Sequence, residues 1–131
     1  MKSRNIIQEK SFAFAIRIVH TYEYLVRERR EYTLSKQLLK CGTSIGANVE
    51  EAIGAQSKND FLAKLSIAYK EARESIYWIR ILLVAEYIPE PEAQSLIQDA
   101  EELCRIIASI QISTRRNLRT QSNKNVKSVH R

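Results

Sequence analysis

Residues 57–83 read SKNDFLAKLSIAYKEARESIYWIRILL. The stretch opens on Ser57 with Asp60 three positions later, a loose capping box in which a Ser side chain can meet the orphan N–H groups of a helix start. Phe61, Leu65, Ala68, Ala72, Ile76, Ile79 and Leu83 then recur every three or four residues, the period of one helix face. No Gly or Pro interrupts them, so the segment reads as one long helix. From Ile76 onward Tyr77, Trp78, Ile81, Leu82 and Val84 also fill the other faces. A helix of a small bundle keeps a polar outer side. The surplus therefore points to a second contact surface, most simply another subunit.

Working outward, Tyr87-Ile88-Pro89-Glu90-Pro91 ends this helix in a turn. A fourth helix starts near Glu90 with Ala93, Leu96, Ala100, Leu103, Ile107 and Ile110 as its core row. Acids in its early turns and Arg115 and Arg116 at its end suit the helix dipole. After about Leu118 the chain is rich in Ser, Asn, Gln, Lys and Arg, which predicts a basic, disordered tail over 119–131. On the other side, a second helix from about Thr33 to Ala55 carries Leu38, Cys41, Ile45, Val49 and Ala52. Gly42 and Gly46 lie inside it, each about 1 kcal/mol less favourable than Ala. Either another backbone approaches that side closely or the helix kinks there. The first helix spans roughly Ile7 to Arg30, with Phe12, Ile16, Val19, Glu23 and Val26 as one row and Phe14, Ile18 and Leu25 widening it. Long helices with short connections pack antiparallel. The predicted fold is all-α, an up-down-up-down four-helix bundle over residues 1–118.

The 131 residues suffice for one core, and three Gly and two Pro are few, as an all-α chain requires. The formal net charge is +6, and its location is uneven. Arg115, Arg116, Arg119, Lys124, Lys127 and Arg131 follow Thr114 with no acid among them, while the rest of the chain is balanced. A basic end on a neutral body suits a polyanion contact, or serves only to solubilise. Cys41 and Cys104 stand far apart on apolar rows, as small core residues of a reducing compartment do. No signal peptide is visible, and the run from Ile76 to Ile88 is too short and too charged to span a bilayer. A cytoplasmic location with no membrane contact follows as the expectation.

Enzymatic constellations are missing. Neither His20 nor His130 follows a Glu by three positions, so the Glu-x-x-His pairs of di-metal bundles are absent. The glycines do not form a phosphate loop. No metal, no cofactor and no catalytic residue is expected. Ser44, Asn48 and Glu51 share one face of the second helix beside Ile45, Val49 and Ala52. That polar stripe reads chiefly as a buried hydrogen-bond network that sets helix register, with Glu51 paired to an Arg or Lys of a neighbouring helix, less readily as a ligand site, and least as a carboxylate site polarising water. Two other rows alternate cations with aromatic groups: Arg17, His20, Tyr24 and Arg27 on the first helix, and Lys70, Arg73, Tyr77 and Arg80 on the third. Cations can pair with phosphates while rings stack on bases. Glu23, Glu28, Glu71 and Glu74 lie near enough in sequence to neutralise either row, which would leave a solvated face.

These residues, from Phe12 to about Ile110, resemble the four helix bundle protein family, also called the 23S rRNA intervening-sequence proteins. That family shows S-I-x-x-N-I-A-E-G, matched here by Ser44-Ile45, Asn48-Val49 and Glu51. A Ser-led helix start follows, then a pattern matched by Phe61, Leu62, Leu65, Ile67-Ala68 and Glu74. Tyr87-Ile88 resembles its G-Y-I before the turn. Ala52 stands in place of the usual Gly, Glu50 of Ala and Glu71 of Ser. The resemblance implies an antiparallel bundle that assembles as a ring-like homopentamer and associates with RNA or DNA. It also implies kinship with accessory proteins of retroelement reverse transcriptases. It carries no catalytic residues. The expected function is a non-enzymatic, oligomeric, RNA-binding bundle using the two rows with Arg115, Arg116 and Arg119. The alternative is a protein–protein adaptor docking through the apolar end of the third helix.

Overall fold

Four helices follow one another in the computed structural model, which describes residues 2–129: α1 (Lys2–Arg27), α2 (Leu34–Ile53), α3 (Lys58–Val84) and α4 (Glu90–Val129). Each packs against its neighbours in sequence, and α4 closes on α1, while the backbones of the diagonal pairs stay farther apart among the described residues. Cross-helix contacts fix the directions. Gln8 Nε2 donates to Glu50 at 2.9 Å and Ile18 covers Gly42, so α1 and α2 are antiparallel. Lys64 reaches Glu51 at 3.6 Å while Ser75 Oγ donates to Cys41 Sγ at 3.3 Å, so α2 and α3 are too. Gln111 Nε2 donates to Ser66 Oγ at 2.9 Å and Arg73 sits beside Cys104. Lys10 meets Glu102 at 2.9 Å and Arg17 meets Glu92 at 3.0 Å. The bundle is therefore up-down-up-down. Among the described residues, no helix is long and apolar enough to cross a membrane.

The predicted core rows of α2 and α4 are buried, and so is most of the α3 row: Phe61, Leu65, Ala68, Ala72 and Ile79 are sealed, Ile76 and Leu83 only partly. Both cysteines are buried and free. Burial pushes the Cys41 thiol up to about 11, as expected of an inert core thiol. The predicted row of α1 is corrected. The buried row is Ile7, Ser11, Phe14, Ile18, Thr21 and Leu25, whereas Phe12 and Ile16 face outward. Ser11 and Thr21 disguise the true row because they are polar. Their hydroxyls return to the carbonyls of Gln8 and Arg17, which offsets the cost of burying them. The two glycines select this face. A Cβ on Gly42 would lie 2.7 Å from Ile18 Cγ1, and one on Gly46 would lie 3.4 Å from the Ser11 carbonyl oxygen. Close approach, not a kink, accounts for both.

Ser57 caps α3 as predicted, its hydroxyl accepting the Asp60 N–H at 3.0 Å. The cap of α2 was not predicted from sequence. Glu31 accepts from the N–H groups of Thr33, Leu34 and Ser35 at 3.0, 3.0 and 2.6 Å. Burial pulls the Glu31 carboxyl up, but these backbone donors outweigh it and hold the pKa below its ordinary value of 4.5. A depressed folded pKa means stability that is full above the ordinary value and lost as pH falls through the folded one. Glu31→Gln is expected to cost about 1 kcal/mol at neutral pH. In urea unfolding the gap from the parent should close in acid; a gap unchanged by pH would refute the charge–cap account.

The α3 terminus has a Schellman geometry, with Tyr87 N–H on Leu82 O at 2.8 Å and Glu86 N–H on Leu83 O at 3.0 Å. Glu86 therefore occupies the left-handed position at φ 65°, where the family pattern G-Y-I has glycine. Arg29 braces the same turn, donating to the Glu86 and Tyr87 carbonyls with its guanidinium 5.3 Å from the Tyr87 ring. Glu86→Gly is expected to raise stability by about 1 kcal/mol. A thermal melt showing no gain would mean that the side chain makes up for the strain.

Composition predicts disorder after Leu118, yet the helix continues through Val129. No Gly or Pro follows Pro91 to break the helix, and Arg119, Gln121, Lys124 and Lys127 are sound helix formers among weaker Ser, Thr, Asn and Val. Extending a helix already nucleated is far easier than starting one. Because Gln111 lies level with Ser66, α4 passes the start of α3 near Arg119 and runs on for about 15 Å. His130 and Arg131 of the predicted tail lie outside the described residues.

Candidate nucleic-acid interface

The two cation–aromatic rows meet different surroundings. On α3, Arg73, Tyr77 and Arg80 line a groove of about 560 Å³ against α4. Tyr69 and Ile76 share their wall, and α4 supplies Glu101, Cys104, Arg105 and Ala108. None of Arg73, Arg80 and Arg105 has a carboxylate within 4.0 Å or a side-chain hydrogen bond among the described residues. Their positive charge is therefore available at the groove. Burial raises the Cys104 thiol, and the charge of Arg73 pulls against it. Tyr77 is 56% exposed, and its ring stands edge to face on Trp78 at 5.2 Å. Trp78, half-buried, donates its indole N–H to Glu74 at 3.1 Å. Glu74 thus orients an aromatic pair rather than joining the α2 stripe. Lys70 is exposed one turn before Arg73 and lies outside the groove lining.

The row on α1 is tied down. Arg17 bonds Asp99 at 2.7 Å and Glu92 at 3.0 Å, and also Ser95. Burial lowers its pKa, and the two carboxylates more than restore it. His20 and Arg27 each approach Glu23 at 3.6 Å. Arg17, His20 and Tyr24 do line a cleft of about 460 Å³ with Thr21, Ile88, Pro89 and Glu92. Its one inward cation is already neutralised, so it offers little to a phosphate. Arg115, Arg116 and Arg119 are exposed on the far part of α4. The groove partners Arg105 and Glu101 were not predicted from sequence. At a spacing of four on one helix they read as a surface pair, and only packing turns them toward α3.

The polar stripe is not a buried network. Ser44 and Asn48 are half-buried and Glu51 is exposed at its side chain by 59%. Asn48 Nδ2 donates to the Ser44 carbonyl at 2.8 Å, and Glu51 reaches Lys64 at 3.6 Å. The stripe faces the margin between α2 and α3, where water can satisfy what the protein does not, so burial never demands a closed network. The clefts described above are lined by other residues.

The family model for the 23S rRNA-intervening sequence protein matches residues 3–109. The chain belongs to the 23S rRNA-intervening sequence protein family. A crystal structure of a protein of unknown function from the S23 ribosomal protein family of Bacteroides thetaiotaomicron superposes with a TM-score of 0.82. It is 46% identical, and the match covers 83% of this chain and 97% of that one. No curated protein matches the sequence. The intervening-sequence family model stops short of the basic far part of α4, so Arg115, Arg116 and Arg119 lie beyond the matched region. The groove arginines lie within it.

Proposed function

We propose that this intervening-sequence protein is a non-enzymatic, cytoplasmic nucleic-acid-binding bundle that holds RNA along the α3–α4 face. One observation carries the reading: Arg73, Arg80 and Arg105 line one groove with a single carboxylate, Glu101, among its lining residues, and none of the three is ion-paired within 4.0 Å among the described residues. The acid-free far part of α4 extends the same sign of charge along the helix, through Arg115, Arg116 and Arg119. Cations that pair with phosphates release counterions, so affinity must fall steeply with salt. Filter binding of a structured RNA to the full chain at several salt concentrations tests this. Replacing Arg115, Arg116 and Arg119 by Gln is expected to flatten the slope of log affinity against log salt by about 0.7–0.9 for each phosphate no longer engaged. Binding that ignores salt, or none in dilute salt, overturns the proposal.

Self-association belongs to the same reading. Phe12 and Ile16 expose an apolar row on α1, and Val84 is 83% exposed at the end of α3. Copies of the chain covering such surfaces would multiply a modest groove into an avid one; a ring of five is the number the family resemblance implies. Light scattering that gives a monomer removes this part. The apolar row also favours a second reading, a protein adaptor in which the cations are incidental. Partners that remain bound after nuclease treatment of a lysate would support that reading against the first.

A further inference from the structure

We propose that the α3–α4 groove takes one unstacked nucleotide of a single-stranded nucleic acid, its base against Tyr77 and its phosphates on Arg73, Arg80 and Arg105. The inference rests on the nucleic-acid reading above and narrows it to a strand class. A duplex presents phosphates but hides the faces of its bases, so a row of cations alone would suffice for it. This groove offers more. Its volume of about 560 Å³ lies within the range of pockets that enclose a small ligand. An exposed tyrosine ring stands among the cations, and every base has a face that can stack on it. The ring is held in advance, because Trp78 meets it at an interplanar angle of 70° and is itself bonded to Glu74. A platform ordered before binding loses little freedom on binding. Glu101 adds a carboxylate to the lining. A carboxylate repels phosphate but accepts from the N–H groups on a base edge. Cations, a ring and one acceptor together match a nucleotide better than they match a bare polyanion.

Trp78, the chain's single tryptophan, makes a built-in reporter through its contact with Tyr77. The test titrates the full chain with a short single-stranded RNA, its DNA counterpart, the same RNA annealed to its complement, and heparin, a polyanion without bases. The single strands are expected to bind at least about tenfold tighter than the duplex and to change Trp78 emission. Tyr77→Ala should weaken single-strand binding by about ten- to a hundredfold and leave heparin binding as it was, while Tyr77→Phe keeps the parent affinity. Light scattering and a thermal melt of both variants show that fold and mass are retained. Equal affinity for duplex and single strand, or a Tyr77→Ala loss that extends equally to heparin, overturns this inference and leaves the broader RNA reading standing. No binding to any of the four overturns both. A preference between RNA and DNA single strands identifies the source of the nucleotide.

Discussion

Phe14→Ala is expected to lower the unfolding free energy by about 3–5 kcal/mol, and Phe12→Ala by less than about 1 kcal/mol. The two rings are separated by a single residue on α1. Phe14 is 1% exposed within the core, so its removal takes away buried apolar area and leaves a cavity that the neighbouring helices cannot fully close. Phe12 is 67% exposed and lines a shallow cleft with Gln8, Glu9 and Glu50. Truncating it removes little that a single chain buries. Urea unfolding at one fixed protein concentration checks both values, since subunit association adds its own stability. If copies pack through this face, Phe12→Ala should also reduce the mass seen by light scattering, which Phe14→Ala should not do while folded. Equal costs for the two substitutions would return α1 to the orientation that its most hydrophobic row suggests.

Gly42→Val is expected to cost about 3 kcal/mol or more, although valine forms helix better than glycine. The first added carbon alone would sit 2.7 and 2.8 Å from the two γ carbons of Ile18. A β-branched side chain in a helix has one favoured rotamer, so Ile18 cannot swing aside and the helices must separate. Gly46→Ala meets only the Ser11 carbonyl at 3.4 Å. There the gain in helix propensity of about 1 kcal/mol should roughly cancel the squeeze. Ile18→Ala alone should cost about 2–5 kcal/mol as a cavity. Combined with Gly42→Val, the pair should cost less than the sum by about 1–3 kcal/mol, because the valine fills space the isoleucine vacates. Additive costs would mean that α1 and α2 do not touch at this point.

The elements themselves were legible from composition and period. Ser57 announced the start of α3, Pro89 and Pro91 its end, and the rows on α2 and α4 came out buried as read. The helix with two apolar faces was not legible. Phe12, Ile16 and Val19 outrank Ser11 and Thr21 on any hydrophobic scale, yet α1 buries the second set. The Glu31 cap was equally hidden, since a carboxylate ahead of a helix resembles any loop acid until the chain turns back on it. For the candidate interface, the row on α3 was visible as a pattern but could not be separated from the similar row on α1. The difference lies in Glu92 and Asp99, which are remote in sequence and reach Arg17 only across the bundle.

Local periodicity and chain punctuation are properties of neighbouring residues, and they sufficed by themselves to specify four helices, their order and an antiparallel bundle. Which apolar face turns inward, which arginines keep a free charge and how far α4 stands clear of its partners depend on contacts between residues dozens of positions apart. Gly42 beneath Ile18, Asp99 beside Arg17 and Arg105 opposite Arg73 meet only after the helices have packed. Packing alone could decide them, because burial and charge pairing are set by distance in space.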